Sequence, residues 1–248
     1  DKAAADRAEA ASAPASAPGA APVKALIVPH AGYIYSGPTA AAGYAAVAGG
    51  DYRQVVLLGP CHQVGTPFVA LDGADYFRTP LGDVPVWRQG AARVSGLPQV
   101  ITSPRVHARE HSLEVHLPFI QTALGAETPV LPLAVGFTEA EAVAAVIDEV
   151  WGGPETLIVV SSDLSHYLPY QRAVEVDGAT VRQILAGQPP LTSQQACGVY
   201  PVNGLLAVAA RRQLAASLLQ YQNSGDTAPE RSAVVGYAAI AFAEGPAR

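Results

Sequence analysis

The sequence predicts a single-domain α/β protein, with a largely parallel or mixed central sheet flanked by helices. The 248 residues are 50% hydrophobic and 15% charged, which is enough apolar material for one sizeable core. Short runs rich in Val, Ile and Leu alternate with segments of helical spacing, and no internal repeat is evident. Near-continuous apolar strands separated by helices are typical of a sheet that is covered on both faces.

The first 22 residues differ in composition from this domain. The Ala-rich stretch Asp1–Ala11 predicts a helix, and Ser12–Pro22 has the Pro-punctuated composition of a stiff linker. The α/β domain is therefore placed at residues 23–248. The segment lacks the basic and apolar regions of a signal peptide, and two cysteines provide no disulfide framework. Both observations predict a cytoplasmic protein.

Within the domain, six apolar runs predict strands, and four segments predict helices. The strands are Ala25–Val28, Val55–Leu58, Phe68–Leu71, Val130–Val135, Leu157–Val160 and Ala233–Ala243. Apolar residues at helical spacing predict helices over Leu113–Leu124 and Ala142–Val150. Ala/Leu-rich composition and an opening proline predict two more, over Pro38–Val47 and Pro201–Leu219.

Charge and hydropathy exclude two classes of partner. The chain has 15 basic and 21 acidic residues, a formal net charge of −6, and no run of Lys or Arg. A nucleic-acid or anionic-membrane binder needs a basic face, so neither partner is expected. Apolar stretches such as Ala233–Ala243 are shorter than the ~20 residues that span a bilayer.

Polar residues follow three of the predicted strands directly. His30 follows the first, His62 the second, and Asp163 and His166 the strand Leu157–Val160. In an open α/β sheet, ligands bind beyond the carboxyl ends of the strands, so these side chains are expected to converge on a shared site. For any one histidine alone, a loop residue bonded to a backbone carbonyl is the alternative.

Cys197 lies just before the predicted helix that begins at Pro201. The partial positive charge of a helix N-terminus favours a thiolate, which is a soft metal ligand. A buried, inert cysteine is the alternative, and the local sequence does not decide between them.

A competing motif, H-x-x-E-H, spans His107, Glu110 and His111. In inverted zinc proteases this pattern supplies two zinc ligands and a carboxylate base from one helix. Because Pro104 precedes it and helical spacing begins only near Ser112, His107 is expected outside the helix, which weakens the protease interpretation. His116 lies on the apolar stripe of that helix and is interpreted as a core histidine.

Six ordered segments resemble the Memo family, whose bacterial and archaeal members are called AmmeMemoRadiSam system protein B. They are Val28–Gly37, Leu58–His62, Phe77–Gly82, Glu110–Phe119, Ser161–His166 and Ala196–Gly198. The resemblance covers roughly residues 24–243. It implies the fold of the class III extradiol dioxygenases and a mononuclear non-haem metal site.

By this resemblance, His30, His62 and Cys197 are the expected metal ligands. Asp163 and His166 would line the pocket, and His111 would face it from the opposite side. Fe(II) is the expected metal, with Cu and Zn as alternatives. Extradiol dioxygenases use two histidines and one carboxylate, so a cysteine ligand makes catechol cleavage itself doubtful.

Two functions follow from the resemblance. The first is metal-dependent redox or oxygenase-type chemistry on an unidentified small molecule. Here His166 would be the general acid and base, and Asp163, on the same face of a helical turn, would hold its tautomer or take part directly. Tyr33 and Tyr35 would contact the substrate, with simple packing as their alternative role.

The second function is non-catalytic binding of a peptide or a partner protein in the same pocket. Eukaryotic relatives are described as adaptors that engage phosphorylated peptides. The bacterial family name further implies radical-SAM and AMMECR-type partner proteins.

Overall fold

The structure is a computed structural model that describes residues 22–244. The helix and most of the linker predicted for residues 1–22 lie outside the described residues. In the described part, 11 strands form a nine-stranded mixed sheet and a separate hairpin. The strands are β1 Val23–Val28, β2 Gln54–Pro60, β3 Val69–Leu71, β4 Tyr76–Thr79, β5 Gly82–Pro85, β6 Val100–Thr102, β7 Val130–Val135, β8 Thr156–Ser161, β9 His166–Leu168, β10 Leu214–Asn223 and β11 Val234–Glu244.

The strand order along the sheet is β10-β11-β1-β8-β2-β7-β3-β6, with β9 paired to β11. Strands β1, β8, β2 and β7 are mutually parallel, and β11 runs antiparallel to β1. The hairpin is β4-β5. All six strands predicted from apolar runs are confirmed, and so is the single-domain mixed α/β architecture.

Eight helices complete the described part of the fold. They are α1 Tyr33–Ala45, α2 Arg88–Val94, α3 Pro104–His107, α4 Leu117–Leu124, α5 Ala140–Glu149, α6 Tyr170–Leu185, α7 Val199–Arg212 and α8 Ser224–Thr227. A 3-10 turn over Glu114–His116 leads into α4. None of the helices in residues 22–244 combines the length and hydropathy that crossing a membrane requires.

Alternate residues of the central strands point into two separate cores, which explains why the strands are apolar throughout. On one face, Ile27 and Leu58 pack with residues of α5, α6 and α7. On the other, Leu26 and Leu57 pack with residues of α1 and α4. Because both faces are buried, neither face of these strands needs polar residues, and the period-2 alternation of a half-exposed strand is absent.

Two predicted helices have different boundaries in the structure. Helix α1 begins at Tyr33, because the carbonyl of Gly32 already accepts bonds from the N–H groups of Tyr35 and Ser36; Pro38 is therefore inside the helix and not in its first turn. Helix α7 ends at Arg212, where Gln213 adopts a left-handed conformation with φ of 55°.

The residues after Gln213 form β10, so the helix predicted as far as Leu219 was too long. Strand β10 pairs antiparallel with β11 along nearly its whole length. These main-chain bonds to a neighbouring strand outweigh the helical preference of an Ala/Leu-rich segment.

The topology brings three loops to one edge of the sheet. Strand β8 lies between β1 and β2, and all three are parallel. The loops that follow them, which begin after Val28, Pro60 and Ser161, therefore leave the same edge side by side. This is the arrangement that the strand-end residues predicted.

Candidate metal centre at the strand ends

Three imidazole rings meet at the carboxyl edge of the sheet. The ring centroids of His30 and His62 are 5.2 Å apart, and that of His111 lies 5.6 Å from His30 and 5.0 Å from His62. His30 is buried, whereas His62 and His111 are exposed. One ring nitrogen from each of the three lies within 4.8 Å of those of the other two.

A second cluster of possible metal donors shares His30. It consists of His30, Asp163 and Cys197, whose donor atoms also lie within 4.8 Å of one another. The sulfur of Cys197 is 3.4 Å from Nε2 of His30. The predicted ligand set of His30, His62 and Cys197 thus takes residues from both clusters, and His30 is the residue that the two clusters share.

The hydroxyl of Ser161 determines which nitrogen of His30 carries the proton. Its single hydrogen is donated to the carbonyl oxygen of Ser112 at 2.6 Å. The hydroxyl oxygen also lies 2.6 Å from Nδ1 of His30 and 2.8 Å from Nε2 of His116. Because the hydrogen of the hydroxyl is already used, both rings must donate to this oxygen. Burial and the neighbouring imidazoles lower the pKa of His30 to about 3, so the ring is neutral at pH 7. Its Nε2 is therefore unprotonated and can accept a hydrogen bond from the thiol of Cys197 at 3.4 Å.

Glu110 performs the equivalent role for His62. One carboxylate oxygen accepts from Nδ1 of His62 at 2.9 Å and from the backbone N–H groups of His111 and Ser112 at 3.0 Å each. The other oxygen accepts from the backbone N–H of His62. Burial opposes ionisation of Glu110, but these hydrogen bonds outweigh it and lower its pKa to about 2. An ionised Glu110 can only accept, so Nδ1 of His62 donates to it. Nε2 is then the ring nitrogen of His62 that could bind a metal.

Asp163 ties the loops after β8 and β1 together. Its Oδ1 accepts from the backbone N–H of His30 at 2.8 Å and of Ala31 at 3.3 Å. Burial raises the pKa of this carboxyl, and the hydrogen bond from His30 opposes the rise. Residues 162–165 form a loop and not the helical turn expected from the D-x-x-H spacing.

His166 opens the short strand β9 and is exposed. Its Nδ1 lies 2.9 Å from the carbonyl oxygen of Leu164, which can only accept. This carbonyl therefore sets the tautomer of His166 by accepting from Nδ1, and Nε2 is the nitrogen left for a bound molecule. The next residue, Tyr167, has a left-handed backbone with φ of 58°, an uncommon conformation outside glycine that is found at functional sites.

Cys197 reaches the site through a close approach of two backbones. A Cβ on Gly198 would overlap with Ser161 and Ser162, so only glycine lets this segment pack against the end of β8. Cys197 precedes α7 by two residues, and its sulfur accepts from the N–H of Asp163 at 3.3 Å. Burial and the charge of Asp163 nevertheless raise the pKa of the thiol to about 12. The effect of the helix end is outweighed, although a coordinated cation would deprotonate the thiol.

The two tyrosines predicted to contact a substrate lie at the start of α1. The hydroxyl of Tyr33 donates to the carbonyl of Val115 at 3.0 Å, and its ring packs edge-on to Phe119. The side chain of Tyr33 is still 50% exposed, and that of Tyr35 38%. Packing therefore accounts for part of Tyr33, and contact with a bound molecule stays a prediction for both.

The structure does not support the protease motif. His107 ends the short helix α3, and its Nε2 lies 2.8 Å from the carbonyl oxygen of Ala70. His111 lies in the loop beyond that helix, so the two histidines are not one turn apart on a helical face. Glu110 faces His62 instead of acting with His107.

Three residues of the site were missed or only half understood from the sequence. Ser161 and Glu110 appeared only as members of the segments that resemble the family, and Glu110 also in the protease motif; neither was given a role at the site. His116 is fully buried, as a core histidine should be, but it also bonds to Ser161. A buried polar residue on an apolar stripe is the signal that should have directed attention to it.

This donor set is suited to a transition metal. His30 and His62 each have Nδ1 held by an oxygen acceptor, which is how metal-ligating histidines are usually oriented by their neighbours so that Nε2 faces the metal. Two imidazoles, a thiol and a nearby carboxylate fit Fe(II), Cu or Zn, and the chemistry of the donors does not distinguish among these metals.

The family model described as Memo-like protein matches residues 6–241. A MEMO1 family protein of Methanosarcina acetivorans is 36% identical over 230 residues, which is 86% of this chain and 84% of the relative. One of Sulfurisphaera tokodaii is 31% identical over 235 residues, or 88% and 82%.

Among solved structures, the chain resembles an uncharacterized Escherichia coli K12 protein, JW3007. The TM-score is 0.53 and the sequence identity 14%, over 88% of this chain and 99% of that one. At this identity, the similarity concerns the fold alone.

Proposed function

Because the chain belongs to the Memo family and has an extradiol dioxygenase-like fold, we propose that its strand-end site binds one transition-metal ion for redox chemistry. The proposed ligands are His30, His62 and Cys197, and Fe(II) is the proposed metal, with Cu or Zn as alternatives. The observation that carries the proposal is the unprotonated Nε2 of His30, which lies 3.4 Å from the sulfur of Cys197 while Nδ1 donates to Ser161.

When bound, Fe(II) would supply one-electron chemistry with dioxygen and a positive charge near the substrate. The protein's own residues would then position the substrate and move protons. His166 has Nδ1 held by the carbonyl of Leu164, so its Nε2 is the atom that would accept a proton from a substrate and return it. Asp163 would keep the loop that carries His30 in place through two backbone N–H groups.

Metal analysis tests this proposal directly. The wild-type protein and Cys197→Ser are prepared anaerobically, and bound iron, copper and zinc are measured per chain. We expect close to one metal ion per wild-type chain and a clear loss in Cys197→Ser. If the variant retains its metal fully, the ligand set is wrong. Dioxygen consumption by the iron-loaded protein should in turn be abolished in His166→Ala.

A second candidate function, binding of a peptide or partner protein, is favoured by exposed apolar side chains around the same edge. Ile34 is 76% exposed and Tyr167 75%, and Tyr33 and Tyr35, which flank Ile34 in sequence, are also exposed. Exposed hydrophobic patches of this kind often mark interaction sites. Low metal content after anaerobic preparation, with partner binding unchanged in His30→Ala, would favour this function over catalysis.

A further inference from the structure

A cavity of about 140 Å³ adjoins the proposed metal ligands. It lies between the loops that follow β2 and β7 and the start of α7, and both His62 and Cys197 line it. These two residues belong to different clusters of donor atoms, so the cavity is the space that they share. Its position beyond the carboxyl ends of parallel strands is the usual place for a ligand in this kind of sheet.

The lining of the cavity is largely hydrophobic. Val135, Phe137 and Tyr200 supply apolar and aromatic surface, and Thr66 supplies a hydroxyl. Among the residues that the structure describes, none with a Lys, Arg, Asp or Glu side chain lines the cavity. In the metal-free protein, a charged group entering this space would lose hydration without meeting a carboxylate, ammonium or guanidinium group, so an uncharged group is favoured.

The walls of the cavity are fixed by a close backbone contact. The N–H of Phe137 donates to the carbonyl of Thr66 at 2.9 Å, and a Cβ on Gly136 would overlap with the same carbonyl. Phe137 is 54% exposed and Tyr200 40%, so two of the residues that line the space are partly exposed aromatics. Aromatic surfaces favour planar apolar partners.

We propose that this cavity receives an uncharged hydrophobic part of the substrate, about the size of a single six-membered ring. A cavity of about 150 Å³ is known to hold benzene, which sets the scale for the 140 Å³ observed here. The inference rests on the proposed function, because the occupant is a substrate group only if chemistry takes place at His62 and Cys197. The binding of a small probe in the cavity is independent of any metal.

The test uses fluorobenzene and the full chain after treatment with a chelator, with binding followed by fluorine NMR. A seven-heavy-atom probe should bind with a Kd on the order of 1 mM. The charged probe 4-fluorobenzoate should bind at least tenfold more weakly. Equal binding of the two probes, or no saturable binding of fluorobenzene, overturns the proposal.

Gly65→Leu fills the cavity and provides the decisive variant. A Cβ at Gly65 would meet only Phe137 at 3.7 Å, an ordinary contact, and its φ lies outside the left-handed region. Gly96→Leu is the matched control, because a Cβ there meets nothing within 4 Å. We expect Gly65→Leu to weaken fluorobenzene binding at least tenfold and Gly96→Leu to leave it unchanged. Unchanged binding in Gly65→Leu contradicts the inference.

Two further measurements keep the result interpretable. Phe137→Ala alters an exposed side chain, so it provides a test even if Gly65→Leu folds poorly. It should lower the affinity for fluorobenzene severalfold, and an unchanged affinity would contradict binding in this cavity. Zn(II) affinity, measured by chelator competition, should be the same in Gly65→Leu and wild type. Probe binding without Zn(II) binding would retain the cavity and reject the metal site, whereas the reverse result would reject the cavity alone.

Discussion

Ser161→Ala should weaken metal binding, although Ser161 is not itself a proposed ligand. The hydroxyl accepts from His30 and His116 and donates to the carbonyl of Ser112, at distances of 2.6, 2.8 and 2.6 Å. Without it, Nδ1 of His30 has lost the acceptor that kept its proton there. The ring is then free to rotate or to place the proton on Nε2, the atom that must remain bare to bind a metal.

The magnitude follows from the groups left behind. Ser161 is fully buried, and its removal strands two N–H donors and one carbonyl in the protein interior. Each unsatisfied buried group costs about 1–3 kcal/mol, and partial relaxation brings the expected loss of unfolding free energy to about 3 kcal/mol. Loss of a residue that orients a ligand typically lowers metal affinity by about 10–100-fold, and we expect a change in this range.

The matched control is Thr156→Val, at the opposite end of the same strand. Its hydroxyl is also fully buried and accepts from Nε2 of Gln54 at 2.7 Å. We expect it to reduce stability while leaving metal affinity unchanged. Urea denaturation followed by circular dichroism gives the first quantity, and Zn(II) competition with a chromophoric chelator gives the second. Nitrogen-15 NMR of the metal-free protein reports the tautomer of His30 directly.

Zn(II) binding by Ser161→Ala that is as tight as binding by Thr156→Val would refute this role of Ser161. An NMR spectrum of the wild-type protein that places the proton of His30 on Nε2 would refute it as well.

Three further predictions concern residues around the site. Glu110→Gln replaces one carboxylate oxygen with an NH2 group, which cannot accept from the N–H groups of His62, His111 and Ser112. Zn(II) affinity should therefore fall about 10–100-fold. An unchanged affinity would show that Glu110 does not orient His62. His107→Asn should leave Zn(II) affinity unchanged, because the ring bonds to Ala70 away from the site, and a loss would revive the protease interpretation. Burial raises the pKa of Asp177 from 3.8 to about 6, so its contribution to stability is present below pH 4 and is lost as pH rises through 6. Between pH 4 and 7, the free energy of unfolding of Asp177→Asn should decline by about 3 kcal/mol less than that of the wild type, measured by denaturation at each pH. An equal decline in variant and wild type would contradict this prediction.

The central strands, and the polar residues that directly follow them, were predictable from the sequence. A strand buried on both faces is apolar at nearly every position, and this pattern is visible in the sequence. Continuous apolar runs such as Val130–Val135 have no other explanation in a chain of this composition. The positions of His30, His62 and Asp163 then followed from the general behaviour of parallel strands. Cys197 was different, since its place in the site came from the family resemblance and its geometry from the contact between Gly198 and the end of β8.

What the sequence could not supply was pairing between distant segments. Leu214–Leu219 has helical composition, and only the partner strand β11 makes it a strand. Helix α6 was not predicted, and its buried Asp177 bonds to the N–H of Ser165 in the site loop, a contact that spans two elements. Likewise, nothing in the local sequence of Glu110 indicates that it faces His62, which lies 48 residues away.

The two ends of β8 show why the carboxyl edge, and not the amino edge, is interpreted as functional. At the amino end, the ammonium of Lys24 donates to the carbonyls of Trp151, Gly153 and Thr156 at 2.6–2.7 Å, so all three of its protons are used within the protein. At the carboxyl end, Ser161 and Glu110 hold the ring protons of His30 and His62 on Nδ1, and the Nε2 of His30 has only the weak thiol donor of Cys197 as its partner. Burying polar groups is costly unless they are paired, and a purely structural network would resemble the first arrangement. The second arrangement orients acceptors toward a shared space, and such a space is suited to a cation.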